Sequence, residues 1–398
     1  MMPEGRRPVN TSREQVNYTL RKKRILLLSE GFGAGHTQAA YALSSSLRKL
    51  SPEVQTKVLE LGSFLNPKVA PLIVSAYRKT VTSQPRLMGY VYRHQKSFNR
   101  LTTLALHRLF YTHAQNIVKQ LKPDIIVCTH FIPGAVISRL KRLHPSLKAP
   151  LITVITDYDA HASWISPQVD RYLVSTPEVK AKLRRRGVAA FKIRVTGIPV
   201  HPSFWEQHGR EDIQEQFKLL GVPTVMVMGG GWGMMNDEVV NAALAGWRDK
   251  VQIVFCLGQN DKLLQEMMQD PRFRHPNIRL LGFTREIDKL MEVSDLLVTK
   301  PGGMTCSEGL AKGIPMLFHS PLPGQEEENC RYFTAAGLGE PISSLDVVDR
   351  WMERLLNDYG NVRAARKAHL EAISRYNPLQ SAQSIIDMLD KPRAEHGQ

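Results

Sequence analysis

The sequence predicts an α/β protein of two doubly wound, Rossmann-like domains that face each other across a cleft. Three observations predict it. The chain has 398 residues, which suits two or three cores at roughly 150 residues each. Short runs of consecutive apolar residues alternate with longer amphipathic stretches, the pattern of parallel strands buried on both faces and joined by helices. The alternation occurs twice, on either side of Gly197-Ile-Pro-Val-His-Pro202, whose two prolines mark an interdomain linker.

The elements follow in order. Residues 1–22 form a polar, basic arm expected to be disordered. A first domain then spans residues 23–198. In it 24–29 reads as a buried strand, Glu30-Gly-Phe-Gly-Ala-Gly35 as a glycine turn and 36–50 as a helix. Further strands are expected at 55–61, 125–129, 151–156, 171–175 and 192–196. The second domain, 199–344, repeats the theme with strands at 224–228, 252–257, 278–281, 296–299 and 315–319. A helix-prone tail covers 345–390, and 391–398 is expected to be disordered. In such sheets ligands gather at the strand C-termini.

Composition narrows the function. Hydrophobic residues make up 42% and charged residues 23%, which excludes wholesale disorder. The net charge of +16 is uneven: residues 1–200 carry 32 bases and 10 acids, residues 201–398 carry 21 and 27. Between Gly62 and Pro123 there are ten bases and no acid. Such a field implies an anionic partner, nucleic acid or a membrane surface. Phe64, Val69, Leu72, Ile73, Tyr77, Tyr90 and Tyr92 are interleaved with Lys68, Arg78, Arg86 and Arg93, as in an interfacial anchor on anionic lipid or a core helix with a solvated rim. No stretch reaches the roughly 18 apolar residues of a membrane span, and the run Ile25 to Leu28 is too short for a signal sequence. Cys128, Cys256, Cys306 and Cys330 stand far apart, as in a reduced cytosolic protein. The expectation is a cytoplasmic enzyme bound peripherally to the inner face of the membrane, with no nucleic-acid partner, because no nucleic-acid fold signature accompanies the charge.

Four loops of the second domain and two of the first carry the chemistry. Thr299-Lys-Pro-Gly-Gly-Met-Thr-Cys-Ser-Glu308 joins a strand end, a glycine turn and a helix start. Gly302 and Gly303 let backbone approach a ligand, and the helix N-terminus offers N–H groups to a phosphate, with Glu308 placed to accept from a ribose diol. A Thr305 cap with a dipole-complementing Glu is the plainer alternative. Pro321-Leu-Pro-Gly-Gln-Glu-Glu-Glu-Asn329 puts Gln325, Glu326 and Asn329 on one helical face, suited to sugar hydroxyls, whereas Glu327 and Glu328 read as solvated. The turn Met228-Gly-Gly-Gly-Trp-Gly-Met234 offers Gly230 and Gly231 as an anion nest, and Gly282-Phe283 closes a fourth strand at the same edge. In the first domain His36, at a helix N-terminus that depresses its pKa, suits a neutral general base. Asp157, opposite, is the second candidate for the base and would otherwise orient His36 or an acceptor hydroxyl, with Asp159 solvated. The Asp157-Tyr-Asp159 match to a metal-binding D-x-D is read as coincidental, and no metal or cofactor is expected.

Together Gly33-x-Gly-His36, Thr156-Asp-x-x-x-His161-x-x-Trp164, Gly197-Ile-Pro-Val-x-Pro202, Lys300-Pro-Gly-Gly-x-Thr305, Glu308 and Pro323-Gly-Gln-Glu-x-x-Asn329 resemble the processive diacylglycerol glucosyltransferases and the monogalactosyldiacylglycerol synthases of glycosyltransferase family 28. The resemblance runs from about Ile25 to about Gly339 and implies a GT-B fold. It implies a UDP-sugar donor in the second domain and a diacylglycerol-type acceptor in the first. It places Phe283 at uracil, Glu308 at the ribose, Gly303 and Thr305 at the diphosphate, and Gln325 and Glu326 at the sugar. Gly35, His161, Trp164 and the residues Arg78, Arg86, Tyr90, Tyr92 and Arg93 fall on the acceptor and membrane side. The sequence departs from the family at Gly258-Gln-Asn260, where Gln259 replaces a cation. The implied reaction is inverting transfer of a hexose, with another lipid acceptor or a UDP-sugar hydrolase or epimerase as the nearest alternative. An NAD-dependent oxidoreductase using Glu60 would leave the second-domain loops unexplained.

Overall fold

A computed structural model describes residues 21–83, 113–233, 235, 237–374 and 376–390. Two six-stranded parallel sheets form the protein. The first contains β1 (Arg24–Ser29), β2 (Gln55–Glu60), β3 (Ile125–Cys128), β4 (Leu151–Val154), β5 (Arg171–Val174) and β6 (Ile193–Val195), in the order β2-β1-β3-β4-β5-β6. The second contains β7 (Thr224–Met228), β8 (Gln252–Cys256), β9 (Ile278–Leu281), β10 (Leu296–Thr299), β11 (Met316–Phe318) and β12 (Gly339–Pro341), in the order β12-β11-β10-β7-β8-β9. The expected strands are all present, several shortened at the ends. β12 was not expected, because Gly339-Glu-Pro341 has no apolar run to announce it.

Continuous apolar runs account for the layering. Ile25 to Leu28 are buried on both faces of β1, alternately against the two helical layers. Each such leucine stabilises the fold by about 1.5–3 kcal/mol. In each sheet the strand order reverses once, between β1 and β3 and between β7 and β10. At those points the following helices diverge to opposite faces and open a crevice at the strand C-termini. The glycine turn before helix Ala34–Leu50 stands at the first reversal. The Gly229–Gly233 turn and the Gly302–Gly303 turn flank the second.

The tail does not simply cover one side of the second domain, as the sequence suggested. Helices Leu345–Asn357 and Tyr359–Ile373 stay there, but Gln380–Leu389 returns to the first domain. Its Ala382 and Ile385 join Ile25, Leu27, Ala40 and Leu43 in one cluster. Tyr376 donates its hydroxyl to the Thr196 carbonyl, and Ser381 bonds the Thr196 hydroxyl at 3.0 Å. The chain therefore passes between the domains twice.

Candidate active site

The two reversals face each other and touch. A Cβ on Gly303 would lie 2.1 Å from the Thr156 carbonyl oxygen, one on Gly231 2.6 Å from Ala34 Cβ, and one on Gly35 3.3 Å from Met304 Cγ. These glycines are needed for close approach between domains. The loop Asp157-Tyr-Asp159 acts as a peg driven into the second domain. Tyr158 stacks on Tyr332 at 4.7 Å, its hydroxyl meets Ser307 Oγ at 2.9 Å, and its N–H donates to Asn329 Oδ1 at 2.9 Å.

The peg corrects three expectations. Asn329 is fully buried, and with Nδ2 donating to the Pro301 carbonyl at 3.0 Å both ends of its amide are occupied, so it clasps the domains and does not contact a sugar. Asp159 is not solvated but is held by Lys182 at 2.6 Å. Asp157 does not orient His36; its carboxyl faces Gln325 and Asn329 across the cleft, and burial pushes it up to about 7. Its Oδ2 is buried with no hydrogen-bond partner among the described residues.

His36 stands in the first turn of Ala34–Leu50. Its Nδ1 lies 3.2 Å from the Thr129 carbonyl and 2.7 Å from the Thr156 hydroxyl. A carbonyl only accepts, so Nδ1 carries the proton and Nε2 is left with the lone pair of a base. Burial lowers its pKa to about 4, so the ring is neutral at pH 7. Around it lie His130, with ring centroids 4.6 Å apart, and Trp164 at 6.3 Å. His161 is 5.8 Å from Trp164. Trp164 is buried in the first-domain core, which rules out a membrane-facing role and makes it a wall behind the imidazoles.

On the second domain Glu308 sits in the second turn of Gly303–Ala311. Burial, with Asp288 nearby, pushes its carboxyl up to about 8. The cap of this helix is Gly302, and Thr305 lies inside it, so the plainer Thr-cap reading fails. Glu326 accepts from the Leu322 N–H at 2.7 Å, and its pKa is raised by burial against the charge of Lys300. Glu327 is not a solvated residue but caps its helix, accepting from the Gly324 N–H at 2.9 Å. Phe283 is 59% exposed beyond β9. Gly230 has φ +69 and Gly233 φ +61, which forms the turn after β7. The backbone N–H of Gln259 donates to the Gly231 carbonyl and Asn260 Nδ2 to the Gly233 carbonyl, so the Gly258-Gln-Asn260 segment braces that turn.

Lys300 and His130 escaped the sequence reading, and Arg78 was placed by it on the membrane side. Lys300 ends β10 beside Glu326 and His319, a cation at the strand reversal; its motif had been read only for its glycines. Arg78, assigned to the membrane, turns inward: it donates to the Trp232 carbonyl at 3.1 Å and lies over the Trp232 ring at 5.6 Å. Arg86, Tyr90, Tyr92 and Arg93 lie outside the described residues. Among the described residues no group of three His, Cys, Asp or Glu is placed to hold a metal, and no helix is long and apolar enough to cross a membrane.

Comparison with known proteins agrees with this geometry. Residues 36–200 match the monogalactosyldiacylglycerol (MGDG) synthase family, and residues 224–382 match the glycosyltransferase family 28 C-terminal domain. The chain is 30% identical to the processive diacylglycerol beta-glucosyltransferase of Staphylococcus saprophyticus over 329 residues, 80% of each protein. It is 29% identical to that of Staphylococcus epidermidis over 380 residues, 92% of this chain and 93% of the relative. Among solved structures, Acinetobacter baumannii MurG shares the fold with a TM-score of 0.55 at 16% identity, covering 93% of this chain and all of that one. Anabaena HepE in complex with UDP-glucose does so with a TM-score of 0.57 at 12% identity, covering 92% and 99%.

Proposed function

The chain belongs to the processive diacylglycerol glucosyltransferase family, within glycosyltransferase family 28, and from that membership we propose that it transfers glucose from UDP-glucose to diacylglycerol or a glycosyl-diacylglycerol. The observation that carries this reading is the closed cleft, which sets the lone pair of His36 on one wall against the Gly302–Gly303 helix terminus and Gln325 on the other.

In the proposed reaction the acceptor hydroxyl gives its proton to His36 Nε2 while its oxygen attacks the anomeric carbon from the side opposite UDP. The bond between that carbon and the phosphate oxygen breaks, its electron pair stays with UDP, and the configuration inverts. Free N–H groups at the start of Gly303–Ala311, the Gly230–Gly231 turn and the Lys300 ammonium meet the developing charge. Glu308 accepts from the ribose hydroxyls, which supply the donors its buried carboxyl lacks, and Phe283 lies against uracil. Gln325 and Glu326 face the sugar, with Asp157 fixing Gln325.

The acceptor resides in a bilayer, and the first domain offers a surface for it. Phe64, Val69 and Leu72 are exposed next to Lys68 and Lys79, an apolar and cationic face suited to an anionic leaflet. The test is incubation with radiolabelled UDP-glucose or UDP-galactose and diacylglycerol vesicles, with and without phosphatidylglycerol. Glucose label in the lipid phase, increased by phosphatidylglycerol, is expected. Release of free sugar alone, or epimerised UDP-sugar, would overturn the reading.

A further inference from the structure

His130 is a solitary histidine in the sequence, yet the fold places it against His36. It follows β3 and caps helix Phe131–Leu143, and its Nδ1 accepts from the Ile132 N–H at 3.2 Å. A ring nitrogen that accepts from an amide carries no proton, so in the neutral ring the proton is on Nε2. His36 is fixed the other way, with Nδ1 protonated by its contact to the Thr129 carbonyl. The two rings meet edge to face with centroids 4.6 Å apart, and neither Nε2 has a hydrogen-bond partner among the described residues. Side by side stand one hydrogen-bond acceptor and one donor. The walls are aromatic: Phe131 lies 4.4 Å and Phe32 6.0 Å from the His130 ring, and Trp164 6.4 Å.

An alcohol has one hydrogen and two lone pairs. If its hydrogen is taken by His36 Nε2, a donor on one lone pair fixes its rotation and leaves the other lone pair to attack. We propose that His130 Nε2–H is that donor, holding the acceptor hydroxyl that His36 deprotonates, with the glycerol carbons against Phe32 and Phe131. This rests on the transfer reading above and adds to it a second acceptor-binding imidazole.

Two variants separate this role from helix capping. His130→Asn keeps a good cap, because Asn is a favoured N-cap residue, but removes the Nε2 donor. His130→Gln carries an amide N–H near the original Nε2. The assay uses soluble dihexanoylglycerol, which removes vesicle binding from the measurement, with UDP affinity followed by calorimetry. In His130→Asn, kcat/KM for the acceptor should fall roughly tenfold to thirtyfold, the loss of one well-placed hydrogen bond. His130→Gln should recover part of it, and UDP affinity should stay at the wild-type level in both. Wild-type kcat/KM in His130→Asn, equal losses in the two variants, or weakened UDP binding would each overturn the assignment alone. A wild-type enzyme unable to glucosylate dihexanoylglycerol or vesicle diacylglycerol would overturn the transfer reading with it.

Discussion

Gly303→Ala tests whether the closed cleft is the reactive state. Gly303 is the first residue of its helix and has an ordinary backbone, so alanine adds no conformational strain there. The added Cβ would stand 2.1 Å from the Thr156 carbonyl oxygen, where ordinary contact begins at 3.4 Å, a shortfall of 1.3 Å (3.4 less 2.1). The carbonyl cannot retreat locally, because the next residues are pinned by Tyr158 and Asn329. The domains must instead separate by about 1 Å, and a misplacement of that size costs on the order of hundredfold in turnover. The helix N–H groups remain, so UDP affinity by calorimetry should change by less than about threefold, while kcat for transfer to vesicle diacylglycerol falls by roughly two orders of magnitude. Gly360→Ala, on an exposed helix with nothing within 4 Å of the new Cβ, is the control and should leave kcat unaltered. A kcat within twofold of wild type in Gly303→Ala would refute the claim that transfer needs this closure.

Three further outcomes follow from the site. His36→Ala should lower kcat by about 10²–10⁴-fold with UDP affinity unchanged, as expected for loss of a general base, and near-normal turnover would remove it from that role. Glu308 has its carboxyl raised to about 8 without ligand; if ribose hydroxyls donate to the carboxylate, the bound pKa is lower, so UDP binding releases protons and strengthens from pH 7 to pH 9. Calorimetry of Glu308→Gln should show affinity roughly tenfold weaker and nearly flat over that range, and a flat wild-type profile would rule out the ribose contact. Leu72→Asp and Lys79→Glu should weaken sedimentation with phosphatidylglycerol vesicles while leaving UDP affinity intact; unchanged sedimentation would move the membrane contact elsewhere.

Much of the fold was legible because it is written in local patterns. A run such as Ile25 to Leu28 can only be satisfied between two layers, and glycine turns at strand ends locate the crevice. The glycine-rich loops of the second domain were legible as loops for the same reason, since each is a contiguous segment at the end of a strand. What the sequence hid are relations between distant segments. Nothing local distinguishes Asn329 as a clasp from Asn329 as a sugar ligand, because its partners are the Tyr158 N–H and the Pro301 carbonyl. Arg78 looks like one more base in an acid-free stretch until its contact with Trp232, 154 residues away, is seen. His130 carries no motif, and its interest lies wholly in being 4.6 Å from His36.

The same contacts show what the unequal charge does not do. The cleft is closed by amides, carbonyls, glycines and aromatic rings. Among the described residues the ion pairs that cross between domains, Lys182 with Glu328 at 3.8 Å and Lys49 with Glu206 at 3.5 Å, are partly exposed and contribute little. Apart from Arg78, which donates to the Trp232 carbonyl, most of the thirty-two bases in residues 1–200 are therefore not needed to hold the halves together, and the imidazoles of His36 and His130 are neutral. That leaves the field free for an anionic leaflet, where it acts within about a Debye length, roughly 10 Å at 0.1 M salt. The membrane attachment proposed above and closure of the cleft thus depend on different forces. Salt weakens the first and spares the second, so transfer to a soluble acceptor persists at ionic strengths that release the enzyme from vesicles.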